Sequence, residues 1–362
     1  FLFDGTRYPT GINTPSLINP NLTWEKSTTK NLGFDFTFLQ SRLTFTADIF
    51  ERKVTDILIP GGKDYPALIG DDDLPFENAG ILKTTGFELQ AKWSDKLANG
   101  FRYSVGVALS DDKAKVVSYP SNPTNKIGDG VLYKGYTVGD IWGYVTGGIL
   151  QEGDFDGVGA NGKPLYHGPY FKGGQAYPGY IWYQDLDHDG VITTGLNTVD
   201  DPGDRKVIGN NAPRYRYNIT ANFQYKGFDL DLMFQGVGKR DYWLSSTSSY
   251  WGNGAGSWEV YNNSWTPERT DAKFPMYGSG TGSYAQTGYL LDASYIKLKQ
   301  VILGYTFPRA LINKIGLEKL RLNLAAYNLF TISDMPKYYD ADYLSDAYPP
   351  KRTFSVGIQV GF

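Results

Sequence analysis

The 362-residue sequence has no cysteine, and only two histidines and three methionines. Disulfides and thiolate chemistry are therefore excluded. His167 and His188 are all the imidazole available for acid–base work, and no motif places a carboxylate pair, so the sequence gives no sign of an enzyme. No run of about 18 apolar residues occurs, which excludes a membrane-crossing helix. It does not exclude a membrane barrel, whose strands alternate lipid-facing and lumen-facing residues and look polar on average. There is no excess of basic charge; a net charge of −3 argues against a nucleic-acid partner. Phe1-Leu2-Phe3-Asp4 has neither the basic start nor the apolar core of a signal peptide.

Aromatic residues, by contrast, are plentiful at 15% of the chain, with 28 Tyr and 20 Phe, and Gly stands at 43. Many of them fall in segments of strict period-two alternation, the signature of half-buried strands. Leu32, Phe34, Phe36 and Phe38 form one such row, and Leu43, Phe45, Ala47 and Ile49 the next. Phe87 to Trp93 and Phe101 to Leu109 alternate in the same way. In the clearest segment, Tyr215, Tyr217, Ile219, Ala221, Phe223 and Tyr225 oppose Arg216, Asn218, Thr220, Asn222 and Gln224. Lys226-Gly227 then turns into Phe228, Leu230, Leu232 and Phe234. With strands at about 290–307, 320–330 and 352–362, the spacing predicts nine.

A soluble sandwich would alternate too. Three features favour a membrane barrel. The apolar rows tend to carry rings at their ends and aliphatics in the middle, as two interfacial girdles around hydrocarbon require. The opposite rows are polar and often charged. Connections also alternate, short near 39–41, 94–100, 226–227 and 308–319, long near 54–82, 111–214, 237–289 and 331–351. That is the turn-and-loop asymmetry of outer-membrane barrels. The expected fold is thus all-β, a transmembrane antiparallel β-barrel with long extracellular loops. The terminal Phe362, closing an alternating strand, fits the same class.

Several motifs, in order along the chain, resemble the SusC family of TonB-dependent outer-membrane transporters. They are Asn19-Pro20-Asn21-Leu22-Thr23-Trp24-Glu25-Lys26, Gly139 to Tyr144, Asp185 to Gly190 with Asp204 to Asn210, and Phe228 to Gly236. Ser294 to Lys299 with Leu303 to Pro308, and Tyr327-Asn328-Leu329-Phe330, complete the series. The resemblance implies a 22-stranded barrel with a plugged lumen, of which residues 1–362 would be one C-terminal portion, its last nine strands. The plug, the TonB box and the first strands would then lie outside this chain. It further implies TonB-driven import of an oligosaccharide or peptide, a SusD-like lipoprotein lid, and an outer-membrane location in a Gram-negative bacterium. The competing reading is a secreted calcium-binding β-sandwich that binds glycans.

Two segments are candidate sites. Asp185-Leu186-Asp187-His188-Asp189-Gly190 has the spacing of an EF-hand loop, with carboxylates at positions 1, 3 and 5 and Gly at 6. Position 12 is Leu196, so the closing carboxylate must come from elsewhere. Asp204 is the first choice, with Asp200 and Asp201 behind it. The expected Ca²⁺ ligands are Asp185, Asp187, Asp189, the Val191 carbonyl, Thr193 and Asp204, holding a structural ion. The alternative is a solvated acidic turn. In the loop 237–288, Trp243, Tyr250, Trp251, Trp258, Tyr261 and Trp265 are candidate contacts for substrate or lid. The blander alternative, that they are rings packing the loop itself or the lid interface, is the one the sequence favours. Gly157 to Gly162 matches GxGxxG, but follows an acidic turn and opens no helix, so it is not a dinucleotide site.

Overall fold

A computed structural model of the protein describes residues 2–3, 6–7, 19–61, 75–243, 258–279, 283–337, 339–344 and 350–362. Nine long strands form one antiparallel sheet. They are β1 (Lys26–Phe38), β2 (Leu43–Pro60), β3 (Phe76–Lys96), β4 (Arg102–Ser118), β5 (Arg214–Tyr225), β6 (Phe228–Lys239), β7 (Tyr295–Thr306), β8 (Lys319–Ser333) and β9 (Thr353–Gly361). Each pairs only with its neighbours in sequence, and β1 and β9 are the two edges. The sheet is an open portion of a barrel.

The turns follow from local chemistry. Between β5 and β6 the two central residues both have positive φ, Lys226 at 47° and Gly227 at 87°, the backbone a two-residue hairpin of matching twist needs. A Cβ on Gly227 would stand 2.6 Å from the Thr306 carbonyl oxygen, so the position requires glycine. The other short connections, 39–42, 97–101 and 307–318, lie at this same end. The four long ones all lie at the other, because an up-and-down sheet reverses direction at every strand.

Register decides which row faces where. Leu230, Leu232 and Phe234 of β6 pair with Phe223, Ala221 and Ile219 of β5, which pair in turn with Tyr103, Val105 and Val107 of β4. The apolar rows thus join into one continuous face, and it is exposed: Leu324 is 54% accessible, Phe354 71%, Val356 74% and Ile358 65%. A soluble sandwich buries that face under a second sheet. Among the described residues no second sheet covers it, so the secreted sandwich is set aside.

Phe38, Trp93, Tyr103, Tyr225, Phe228 and Tyr305 gather this face's rings near the turn end, with Trp93 Nε1 donating to Tyr103 Oη at 3.1 Å. The expected ring–aliphatic–ring order does not hold on β1, where Phe34, Phe36 and Phe38 stack along the strand at 6.2 and 5.7 Å.

The opposite rows are mostly polar and bonded to one another. Arg321 Nη2 lies 2.6 Å from Asp229, Thr46 Oγ1 donates to Asp35 at 2.7 Å, and Asn31 Nδ2 donates to Asp48 at 3.0 Å. Thr46, Glu88, Gln90, Ser110, Asn218 and Gln235 from five strands line one cleft on this side. The sheet therefore curves around its polar face.

The apolar cores lie in the loops, not beneath the sheet. The largest joins Tyr144, Ile181, Tyr183 and Ile192 of the loop after β4 to Val260, Phe274 and Tyr289 of the loop after β6. A second gathers Val116, Ile127, Tyr133 and Tyr136.

Candidate functional site

The acidic segment begins as a chain of tight side-chain-capped turns. Asp185 accepts from the N–H of His188 at 2.7 Å and of Gly190 at 2.8 Å. Asp187 accepts from Asp189 N–H at 3.2 Å, and Asp189 from Val191 N–H at 2.8 Å. Short acceptors of this kind favour such turns, and His188 at φ 62° and Gly190 at φ 85° complete the reversal. Val191–Ile192 then pairs in parallel with Tyr170–Phe171, and Ile192 enters the loop core.

Asp204, fully buried, closes the loop. Its Oδ1 accepts from Leu186 N–H and its Oδ2 from Thr193 N–H, both at 2.8 Å. Carboxylate oxygens of Asp185, Asp187 and Asp204 lie within 4.8 Å of one another. Asp189 is not in that group. Asp201 accepts from Leu196 N–H at 3.1 Å, on a separate turn. Thr193 Oγ1 accepts from Gly195 N–H at 3.1 Å.

The electrostatics differ across the cluster. Burial pushes Asp185 up, but the Gly190 and His188 N–H groups outweigh it and hold the carboxyl below its ordinary value. Asp187 is raised, first by desolvation and then by the charges of Asp204 and Asp189. Crowded carboxylates of this kind repel one another, and a cation would relieve the repulsion.

The aromatic candidates separate into two groups. Trp265 is 4% accessible; its Nε1 donates to Gln151 Oε1 at 2.9 Å, and its ring occupies the space a Cβ on Gly179 would need. It packs the loop and has no face left for a ligand. Trp243 is half-buried against the loop core. Trp258 and Tyr261, on a five-residue helix (Trp258–Asn262), stand out at 78% and 58% accessibility. Their rings meet edge-on at 5.9 Å, and Tyr261 meets Tyr277 at 6.0 Å. Tyr250 and Trp251 lie outside the described residues.

Sequence reasoning missed what holds the two loops together. Gln286, fully buried, donates from Nε2 to Tyr183 Oη at 3.0 Å and to the Tyr284 carbonyl, while its Oε1 accepts from Thr146 Oγ1 at 3.1 Å. Nor did the sequence single out Lys297, which reaches from the inner row of β7 to Asp340 and Asp342 of the last long loop.

A sheet with a polar inner face, an exposed apolar outer face and packed loops at one end is the architecture of an outer-membrane barrel. The model of the TonB dependent receptor-like β-barrel matches residues 2–329. The chain belongs to that family. TonB-dependent receptor P3 of Formosa agariphila is 28% identical over 385 residues, covering 99% of this chain and 36% of that protein. TonB-dependent receptor SusC of Bacteroides thetaiotaomicron is 27% identical, with 99% and 34% covered. The chain thus spans about a third of the length of the curated relatives it matches. Among solved structures, the RagAB peptide importer in its open-open state superposes with a TM-score of 0.74 at 21% identity, over 99% of this chain and 37% of that one. At that identity the likeness concerns the fold. As a SusC-like TonB-dependent receptor barrel, the protein resides in the outer membrane of a Gram-negative bacterium, its apolar row against lipid and its long loops outside.

Proposed function

We propose that this part of the barrel serves TonB-dependent import of a large nutrient, an oligosaccharide or a peptide, beneath a SusD-like lipoprotein lid. The observation that carries the reading is the extracellular crown. Two loops far apart in sequence share one core through Tyr144, Tyr183, Val260 and Phe274, so they offer a preformed surface at the mouth of a polar-walled lumen. A preformed surface loses less entropy on binding than a floppy one. The TonB-dependent part of the reading is supported by the relatives, which are named TonB-dependent receptors. The remaining strands, the plug and the TonB-contacting segment belong to the rest of the transporter. The chain's own residues bind and guide, and no catalytic step is assigned to them.

Calcium is the proposed structural ion of the crown. Asp185, Asp187 and Asp204 would supply the converging side-chain oxygens. Asp189, whose carboxylate lies outside that group, would have to turn toward the ion to join the Val191 carbonyl and Thr193 in a set of six, the lower end of the six to eight a calcium ion takes. Asp204 still has lone pairs free beyond the two N–H bonds it accepts. Calcium would tie the loop down before the chain re-enters the barrel at β5; it would do no chemistry.

The test is uptake by cells carrying the complete transporter. Labelled oligosaccharide or peptide should enter only with TonB and the inner-membrane proton gradient intact, and the lipoprotein should co-purify. Uptake independent of TonB would end the proposal.

A further inference from the structure

Above the apolar band, the outward row of β1 to β4 changes character without changing face. The rung Leu32–Ile49–Phe87 is followed by Lys30–Glu51–Thr85–Lys113 and then Thr28–Lys53–Lys83–Lys115, all in unbroken register. The bulges in these pairings lie farther along, beyond Lys53 and Lys83. Side chains alternate strictly along a strand, so Lys30, Lys53, Lys83, Lys113 and Lys115 stand on the face that meets lipid below them.

Little within the chain neutralises them. Glu51 pairs with Lys83 at 2.7 Å and also feels the charges of Lys30, opposite it, and Lys53, but it is a single carboxylate among five lysines. Asp111, which pairs with Phe87 in the rung just below the lysines, is buried and held by Arg214 at 2.5 Å. Among the described residues, Lys30, Lys53, Lys113 and Lys115 are exposed and have no carboxylate within ion-pair distance. Lys53, Lys83 and Lys115 moreover sit directly opposite one another across three strands. Like charges so placed destabilise a sheet, unless an anion lies over them.

Height identifies the anion. With about 3.4 Å per residue and a strand tilt near 40°, the two lysine rungs stand about 5 and 10 Å above the last apolar rung. The headgroup layer of a bilayer occupies roughly the first 5–8 Å beyond the hydrocarbon, so the lower rung stands within it and the upper one just above it, from where its lysines reach back along their flexible stems. The geometry points to a binding site on the outward face of β1–β4 for a lipid with a phosphorylated headgroup. Its phosphates sit on Lys30, Lys53, Lys113 and Lys115, and its acyl chains lie along the Phe34, Phe45, Leu89 and Val107 band. A soluble anion would have no use for that band; a lipid uses both halves of the surface.

The experiment is lipid retention by the complete transporter in a neutral detergent. The probe is a bisphosphorylated, acylated disaccharide, and bound fatty acid is quantified after gel filtration. Wild type retains the lipid; Lys53→Ser/Lys113→Ser/Lys115→Ser lowers retention at least five-fold. The corresponding triple Arg variant keeps it, and Lys92→Ser on the inner row has no effect. The same lipid stripped of its phosphates is not retained. Equal retention by the triple Ser variant, or of the dephosphorylated lipid, overturns the proposal. So does loss of lipid from the Arg variant, or its displacement by millimolar inorganic pyrophosphate, which would make the patch a soluble-anion site.

Discussion

Lys297 Nζ lies 2.7 Å from Asp340 Oδ2 and 3.5 Å from Asp342 Oδ2, with its own side chain only 2% accessible. Asp342 also receives Lys299 Nζ at 2.5 Å and the Tyr295 hydroxyl at 2.6 Å. Five groups, three on β7 and two on the loop between β8 and β9, thereby draw that loop inward, and Asp342 lines the lumen cleft with Gln235 and Tyr295. The latch fixes how far the last extracellular loop reaches into the opening.

Lys297→Met should release it. Removing Lys297 leaves Asp340 without its cation, close to an Asp342 that keeps only Lys299 and Tyr295, a local loss of up to about 3 kcal/mol. Limited proteolysis should then cut the loop between β8 and β9 readily, while the barrel stays heat-modifiable on gels. Unchanged protection would show that the loop is held by packing alone.

The same latch carries a pH dependence. Burial pushes Asp342 up, but Lys299, Tyr295 and Lys297 outweigh it, and its carboxyl is held below the ordinary value of 3.8. A group depressed in the folded state contributes stability that is present above its unfolded pKa and lost as pH falls through the folded one. Loop protection should therefore be flat from neutrality to about pH 5 and fall below about pH 4, as hydrogen exchange across 334–344 would record. A loss centred near pH 6 would contradict this assignment.

Asp204→Ala should unlock the acidic loop. It leaves the Leu186 and Thr193 N–H groups without acceptors, at a cost of about 1–3 kcal/mol each where buried. Asp204→Asn retains one acceptor and should cost less, yet both variants should abolish calcium-site luminescence from bound terbium. If the Asn variant binds terbium as wild type does, Asp204 is a loop staple and not a ligand.

Trp265→Ala and Trp258→Ala should part company. The first empties a packed site and should lower crown stability by about 3–5 kcal/mol, seen as early loop proteolysis on heating. The second removes an exposed ring, should leave stability within about 0.5 kcal/mol, and should weaken substrate uptake. Wild-type uptake by Trp258→Ala would remove this ring from the proposed binding surface.

Leu324→Arg places a charge on the lipid-facing row of β8, in the rung with Leu303 and Val356. The expected cost is about 2–4 kcal/mol for a cation near the bilayer midplane, measured by denaturant unfolding of the complete transporter in liposomes. Asn323→Arg on the adjacent inner position should cost far less. Equal costs would mean that the apolar row does not face lipid.

The sheet was legible in the sequence because a strand's side-chain period is local and strict. Ten consecutive residues such as Tyr215 to Gln224 suffice to declare two faces, and Lys226-Gly227 declares the turn between two such runs. The alternation of short and long connections then orders all nine strands. The crown was not legible in this way. Its loops have no period, and their contacts join residues such as Thr146 and Gln286, 140 positions apart. Nor could the separate segments reveal the basic patch, in which Lys30, Lys53, Lys83 and Lys115 come from four strands and look like scattered surface charges. Their common face exists only once register is set, and register across strands is a property of the whole sheet: a one-residue slip would turn any of these lysines to the lumen.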